Sequence, residues 1–212
     1  MTEQTGSKTQ KFYDRIADAH NVALKLNGYR GSLVRYLKSV DPDLGPESMV
    51  LDAGSGTGIV TLGLHSAGFR PKRTVTFDLS YNSLSLGLGQ FRKDPKTRRA
   101  PISAVQGNIL RMPFADASFD LVLSCGVLEY VPLSEGLDEL ARVLKPGGKL
   151  IFIPVKPSIV GAVLELLYKF KTHPLSKVRE ESVKNFRIVG NHKFKIIEPM
   201  GWSKAIFLLE KK

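Results

Sequence analysis

Asp52 stands just ahead of three glycines at alternate positions, in the run Asp52-Ala53-Gly54-Ser55-Gly56-Thr57-Gly58. Glycines so placed let a backbone turn sharply and bring a ligand close with no side chain in the way. An apolar run, Ile59 to Leu64, follows at once. The turn therefore opens a helix whose first N–H groups are unpaired and aimed at the same ligand. The spacing differs from the G-x-G-x-x-G that cradles a pyrophosphate. A carboxylate at Asp52 is poor company for a pyrophosphate and good company for a ligand that is cationic or carries an amine. Metal chemistry has less support. Cys125 is the single cysteine, and His20, His65, His173 and His192 are scattered without an HxxxH or HExxH pair, so no structural metal is expected.

The elements that must position this turn alternate between strand and helix. Val50 to Asp52 reads as a buried strand, Arg73 to Asp78 as a second, Ile102 to Val105 as a third, Ser118 to Ser124 as a fourth and Lys149 to Val155 as a fifth. Between them lie helices from Ile59 to about Ser66, stopped by Gly68, from Tyr81 to about Phe91 with Ser80 as N-cap, and from Leu133 to Leu144. Before the first strand, Lys11 to Val40 has a helical pattern with a break near Gly28 and Gly31. After the fifth come helices over 157–172 and 175–189, and a closing strand pair, Lys193 to Glu198 with Ala205 to Glu210. The alternation implies an α/β fold with a mainly parallel sheet covered on both faces.

Bulk properties narrow the class further. The 212 residues suit one domain with a sizeable core, and 42% hydrophobic with 24% charged residues is ordinary globular composition. The polar start, Met1 to Gln10, has no apolar run of a signal peptide, and no window is long enough to span a bilayer, so a cytoplasmic protein is expected. Net charge is +11, and from Lys156 onward 12 basic residues face 5 acidic ones. A second basic cluster, Arg92, Lys93, Lys96, Arg98 and Arg99, falls in one loop. Such a surface suits nucleic acid, a membrane or an acidic substrate, or is simply a solvated face.

In order along the chain, Val50 to Gly58, Asp78, Gly107-Asn108-Ile109, Phe119 to Val122 with Cys125 to Tyr130, and Ala141 to Gly148 resemble the class I S-adenosylmethionine-dependent methyltransferases. The likeness is greatest to the group of ubiquinone and menaquinone biosynthesis and related small-molecule enzymes, and it covers roughly residues 50–155. It implies a Rossmann-like, doubly wound, mostly parallel seven-stranded sheet with an antiparallel C-terminal strand. It also implies S-adenosylmethionine as cofactor, with S-adenosylhomocysteine as product. By that resemblance Gly54, Ser55, Gly56 and Gly58 make room for the cofactor and Asp52 lies by its aminoacyl end. Asp78, with Leu79 beside it, holds both ribose hydroxyls, a role that two acceptor oxygens suit. Asn108 and Ile109 stand at the adenine, where the family more often shows Gly-Asp. Cys125 is read as a wall of the pocket rather than as a nucleophile, since it lacks the companion motifs of cytosine-C5 enzymes. The domain divides on this reading into an N-terminal helical cap (1–45), a cofactor-binding core (46–155) and substrate-side helices with closing strands (156–212).

No residue stands out as catalytic. Glu129 and Tyr130 follow the fourth strand, and Tyr13 and His20 lie on the N-terminal helix, so these four are the candidates for polarising an acceptor. Each also reads as packing or surface. The absence of Asn/Asp-Pro-Pro-Tyr/Phe after the fourth strand argues against amino-methylation of adenine or glutamine, and 8% aromatic residues offer few stacking platforms. A small-molecule acceptor is therefore expected: a quinone precursor, a phospholipid headgroup or a porphyrin-like acid. The apolar segment 157–172 reads equally as a cap for a lipophilic acceptor, with peripheral contact to an anionic membrane, or as plain packing on the sheet. Two other readings stand beside this one: an RNA or DNA methyltransferase using the basic surface, and a non-catalytic cofactor-binding partner protein. Oligomeric state is open.

Overall fold

In the computed structural model, residues 29–192 and 200–212 are described. Helix α1 (Tyr29–Val40) precedes β1 (Met49–Ala53), α2 (Ile59–Ala67), β2 (Arg73–Asp78), α3 (Tyr81–Lys93), β3 (Ile102–Gln106) and β4 (Phe119–Cys125). A 3-10 turn (Leu128–Tyr130), α4 (Leu133–Val143), β5 (Leu144–Ile153), α5 (Ile159–Tyr168), α6 (Leu175–Asn185), β6 (Phe186–His192), α7 (Met200–Ser203) and β7 (Ile206–Lys211) complete the order. The strands form one seven-stranded sheet in the order β3-β2-β1-β4-β5-β7-β6. Pairing is parallel from β3 to β5, and β7 runs antiparallel to both β5 and β6. The expected fold class is the one observed.

Alternation along the strands supplies a core on each face. Leu51, Ala53, Val75, Phe77, Val122, Leu150, Phe152 and Phe207 share one apolar cluster with Leu137 and Leu140 of α4 and Val178 of α6. Val50, Leu121, Leu123, Ile151, Ile206 and Leu208 share the other with Leu33 and Leu37 of α1 and Val60 and Leu64 of α2. Helices α1 and α2 cross closely, since a Cβ on Gly63 would lie 2.6 Å from Leu33 Cδ2. Buried His65 belongs to this packing. Its Nε2 meets Thr74 Oγ1 at 3.2 Å, and burial lowers its pKa to about 4, leaving it neutral.

The C-terminal third departs from the sequence expectation. The helix expected over 175–189 ends at Asn185, and Phe186–His192 becomes β6, the strand that pairs with β7. Its alternating burial, with Phe186 inside and Arg187 out, is the period of a strand with one covered face. The segment Lys193 to Glu198, expected to be that partner, lies outside the described residues. Strand β5 also begins earlier than expected, at Leu144, because Leu144 already pairs with Phe119 and the turn through Gly147 bulges out before pairing resumes at Lys149.

The order reverses between β1 and β4, since β1 leads outward to β2 and β3 while β4 leads the other way to β5. In an open parallel sheet, ligands bind in the crevice at the carboxyl ends of the strands flanking such a point. The turn after β1 and residues 125–130 after β4 both lie there.

Candidate active site

The turn between β1 and α2 is held from the neighbouring strand. Phe77 O accepts from the N–H groups of Gly54 and Ser55 at 2.8 and 3.0 Å. Asp78 Oδ2 accepts from Gly56 N–H at 2.7 Å, and its Oδ1 from Ser80 N–H at 2.9 Å. Ser80 in turn caps α3, its Oγ accepting from Ser83 N–H at 3.1 Å. The carboxylate ending β2 thus ties the glycine turn to the start of α3.

The three glycines share a left-handed backbone, with φ of +73° at Gly54, +52° at Gly56 and +83° at Gly58. Their surroundings differ. A Cβ on Gly54 would lie 2.5 Å from Val127 Cβ, and one on Gly58 would lie 2.2 Å from Phe91 Cζ. A Cβ on Gly56 would meet nothing within 4 Å. The expectation that all three clear space for a ligand is therefore narrowed. Gly54 and Gly58 are glycine because side chains already fill the space beside them, and Gly56 alone faces the opening.

Asp52 is fully buried beneath this turn. Its Oδ2 accepts from Thr61 N–H at 3.1 Å and Thr61 Oγ1–H at 2.6 Å. Its Oδ1 has no hydrogen-bond partner, and neither does the buried Ser55 Oγ. Burial pushes the Asp52 carboxyl up to about 7, against the pull of the two Thr61 bonds and with help from the Asp78 charge.

Leu79 is exposed and accepts at its carbonyl from Gln106 Nε2 at 3.0 Å. Asn108 is exposed too, and its side-chain oxygen accepts from Leu110 N–H at 2.9 Å, closing a local turn. Ile109 turns inward and joins the core cluster of Phe77. A role for this pair at an adenine edge falls to the backbone or to the exposed Asn108 amide, whose oxygen has a second lone pair.

After β4, Tyr29 of α1 reaches across to Cys125, its Oη 2.9 Å from Cys125 Sγ. Burial pushes the Cys125 thiol up, with Lys204 and the Tyr29 bond opposing. A thiol so raised is a weak nucleophile, in keeping with a wall residue. Glu129 is buried, with Oε1 accepting from Val155 N–H at 2.5 Å and Oε2 left without a partner. Tyr130 packs edge-on against Phe170 at 5.3 Å, and burial raises its phenol well above the ordinary range. Tyr13 and His20 lie outside the described residues. Sequence reasoning missed Tyr29 and Lys204. Neither has a spacing or motif to mark it, and only the crossing of α1 and the entry to β7 bring them to the end of β4. Among the described residues, no group of three His, Cys, Asp or Glu side chains is arranged to hold a metal ion.

The Arg92–Arg99 cluster directly follows Phe91, whose ring lies beside Gly58. Asp94 within it pairs with Arg30 at 2.8 Å, and Arg30 Nε bonds Ser66 Oγ in the last turn of α2 at 3.1 Å. That is the end of α2 opposite the glycine turn.

Known proteins match this arrangement. A family described as "Methyltransferase domain" matches residues 51–152. Demethylmenaquinone methyltransferase of Shouchella clausii is 30% identical over 169 residues, covering 76% of this chain and 70% of that one. The chain belongs to the class I S-adenosylmethionine-dependent methyltransferases. This chain is also 38% identical over 109 residues to the demethylmenaquinone methyltransferase of Mycobacterium sp. (strain KMS), covering 51% of the chain. It spans 42% of the length of that relative. Among solved structures, a putative methyltransferase in complex with the Haloferax volcanii Trm112 methyltransferase activator matches with a TM-score of 0.74 at 16% identity, covering 96% of this chain and 97% of that one. Geranyl diphosphate C-methyltransferase from Streptomyces coelicolor A3(2) matches with a TM-score of 0.68 at 16% identity, covering 86% and 79%. These two likenesses concern the fold. Among the described residues, no helix is long and apolar enough to cross a membrane.

Proposed function

We propose that this protein transfers a methyl group from S-adenosylmethionine to a small lipophilic acceptor of the quinone-precursor kind. The observation that carries the reading is the glycine turn, where the open face of Gly56 stands beside a buried Asp52 carboxylate with one unpartnered oxygen. An unpaired buried acceptor is costly unless a donor arrives, and the cofactor's amino group is a cationic donor. Ser55 Oγ offers a further unused polar atom at the same turn. Asp78 stands at the turn's rim, where a carboxylate suits ribose hydroxyls, and Leu79 provides an exposed apolar surface beside it. When bound, the cofactor supplies a methyl on a sulfonium, whose carbon–sulfur bond breaks with the electron pair returning to sulfur. The chain's own task is to hold the acceptor atom in line, exclude water and receive any proton the acceptor loses. Glu129, with one buried oxygen free, is the residue we assign to that proton.

Two observations favour a lipophilic acceptor. The curated relatives named above are demethylmenaquinone methyltransferases. In addition, α5 follows the crevice after β5 and leaves Ile159, Val163, Leu166 and Leu167 exposed, with only Gly161 buried in the helix. Trp202, whose carbonyl accepts from Ser158 Oγ at 2.8 Å, is exposed at the start of that helix, and Lys169 and Lys171 follow its end. An apolar face edged by an indole and lysines suits the surface of an anionic membrane. A helix serving only to pack on the sheet would bury those residues. Calorimetry with S-adenosylhomocysteine on wild type and Asp78→Ala tests the cofactor half, expecting binding that the substitution removes. S-adenosylhomocysteine release with a demethylated naphthoquinol, a phospholipid or a porphyrin acid then separates the acceptors. Turnover confined to either of the latter two would sink the quinone reading.

A further inference from the structure

One cation stands unpaired at the mouth of the crevice. Lys204 lies just before β7, and its backbone pairs with Val155 in an isolated antiparallel bridge. That pairing carries its side chain over the end of β4. A Cβ built on Gly126 would lie 2.7 Å from Lys204 Nζ. Gly126 also has φ of +65°, the left-handed region that favours glycine. Among the described residues no carboxylate lies within ion-pair distance of Lys204, and no hydrogen bond ties it. The obvious candidate to neutralise it is Glu129, which shares Val155 with it. Glu129 is held elsewhere, its Oε1 on the Val155 amide, while Oε2 is buried with no partner. The Lys204 charge is nonetheless felt in the crevice, since it opposes the rise of the Cys125 thiol.

A half-buried ammonium kept off an adjacent carboxylate is a poor stabiliser of the fold. It is a good receptor for a negative oxygen. We propose that Lys204, seated over Gly126, anchors an ionised hydroxyl oxygen of the methyl acceptor. The inference rests on the methyltransferase reading above and narrows its substrate class. The acceptor carries an acidic hydroxyl on an aromatic or enolic ring. That O–H bond breaks, its proton passes to Glu129 Oε2, and the electron pair left on oxygen faces Lys204 Nζ. Amines are disfavoured, because a protonated amine would meet a like charge. A neutral ring without a hydroxyl would leave the ammonium unpaired.

The test uses two probes on the full chain loaded with S-adenosylhomocysteine. One is 4-nitro-1-naphthol, coloured when ionised, at alkaline pH. The other is its methyl ether, which keeps the ring and loses the charge. Calorimetry and the phenolate absorption band give affinity and environment. The naphtholate binds wild type with a shifted band, and Lys204→Met weakens it by about tenfold to a hundredfold, the worth of one charge-assisted contact. Lys204→Arg restores most of that affinity. The methyl ether binds wild type and Lys204→Met alike. S-adenosylhomocysteine affinity and the melting temperature are unchanged in both Lys204 variants, which separates anchoring from a structural role. Equal naphtholate binding in wild type and Lys204→Met would overturn the inference. So would an equal loss of both probes, or wild type that binds the cofactor product and neither probe. Failure of wild type to bind S-adenosylhomocysteine would strike the methyltransferase reading instead.

Discussion

The two sides of the crevice are built to different rules. On the β2 side, the rim of the glycine turn is tied down before any ligand arrives, while Asp52 Oδ1 and Ser55 Oγ beneath it stay unpartnered. Phe77 O takes two amides of the glycine turn, and both Asp78 oxygens take backbone N–H groups, with Ser80 capping the helix behind. On the β5 side, Glu129 keeps an oxygen unpartnered, Lys204 has no counter-ion among the described residues, and α5 turns apolar side chains outward. The contrast teaches where each side invests. A preorganised turn lowers the ordering cost of a ligand that never changes. A crevice with spare polar groups and an open apolar face is suited to a ligand that differs from one relative to another.

The largest effect that tests this contrast is expected at Asp78. Asp78→Ala removes two charged acceptors from backbone donors, each worth about 1.5–3 kcal/mol. S-adenosylhomocysteine affinity should fall at least a hundredfold by calorimetry, while acceptor-side probes in saturating product keep their affinity. Next come the glycines. Gly58→Ala places a Cβ against the Phe91 ring at φ +83° and should cost about 2–4 kcal/mol in urea unfolding, from overpacking and left-handed strain together. Gly56→Ala carries only the strain, about 1–2 kcal/mol, and should instead impair cofactor binding, because its Cβ enters open space. If Gly56→Ala and Gly58→Ala proved alike in both assays, the division of labour within the turn would fail.

A smaller effect follows from Asp52. Its carboxyl is raised from 3.8 to about 7 in the folded protein, so between those values the folded chain holds a proton that the unfolded chain has lost. The group therefore favours folding in acid, and that advantage is lost as pH rises through about 7. Binding of a cationic amine needs the ionised form and should run the other way. Cofactor affinity should rise by up to about 1.4 kcal/mol per pH unit below 7 and level off above it. In Asp52→Asn that slope should disappear. A slope that survives the substitution would place the titrating group elsewhere. The smallest effect on stability is expected in α5. Leu166→Ser or Ile159→Ser, at residues 82% and 89% exposed, should shift unfolding by no more than about 0.5 kcal/mol. The same changes should reduce sedimentation with phosphatidylglycerol vesicles and turnover of a lipophilic acceptor. A large loss of stability would mean that the helix is packed after all.

What could be read in advance follows the strength of local signals. Each parallel strand from β1 to β4 has its own apolar run bounded by a turn, and each was legible within a residue or two. The glycine turn and Asp78 announce themselves because a sharp turn has few alternatives to glycine. Phe186–Val189 was misread as the end of a helix because Arg187 interrupts its apolar run, and strand identity there comes from pairing with β7. Tertiary pairing overrides weak local preference in such a segment. Lys204 and Tyr29 were illegible for a related reason. Each does its work through one long-range approach, to Gly126 and to Cys125, that no spacing encodes.

The position of β7 has a further consequence. Strand β6 has β7 as its one neighbour in the sheet, and β7 is the piece that joins it to β5. On the ribosome, β6 emerges first and has no strand to pair with until β7 follows. During that interval both β5 and β6 present bare edges, the kind of surface that templates association between nascent chains. A chain cut short before Ile206 would be trapped in that state. Loss of six residues from β7 should accordingly be felt less as a missing strand than as insolubility of the whole polypeptide.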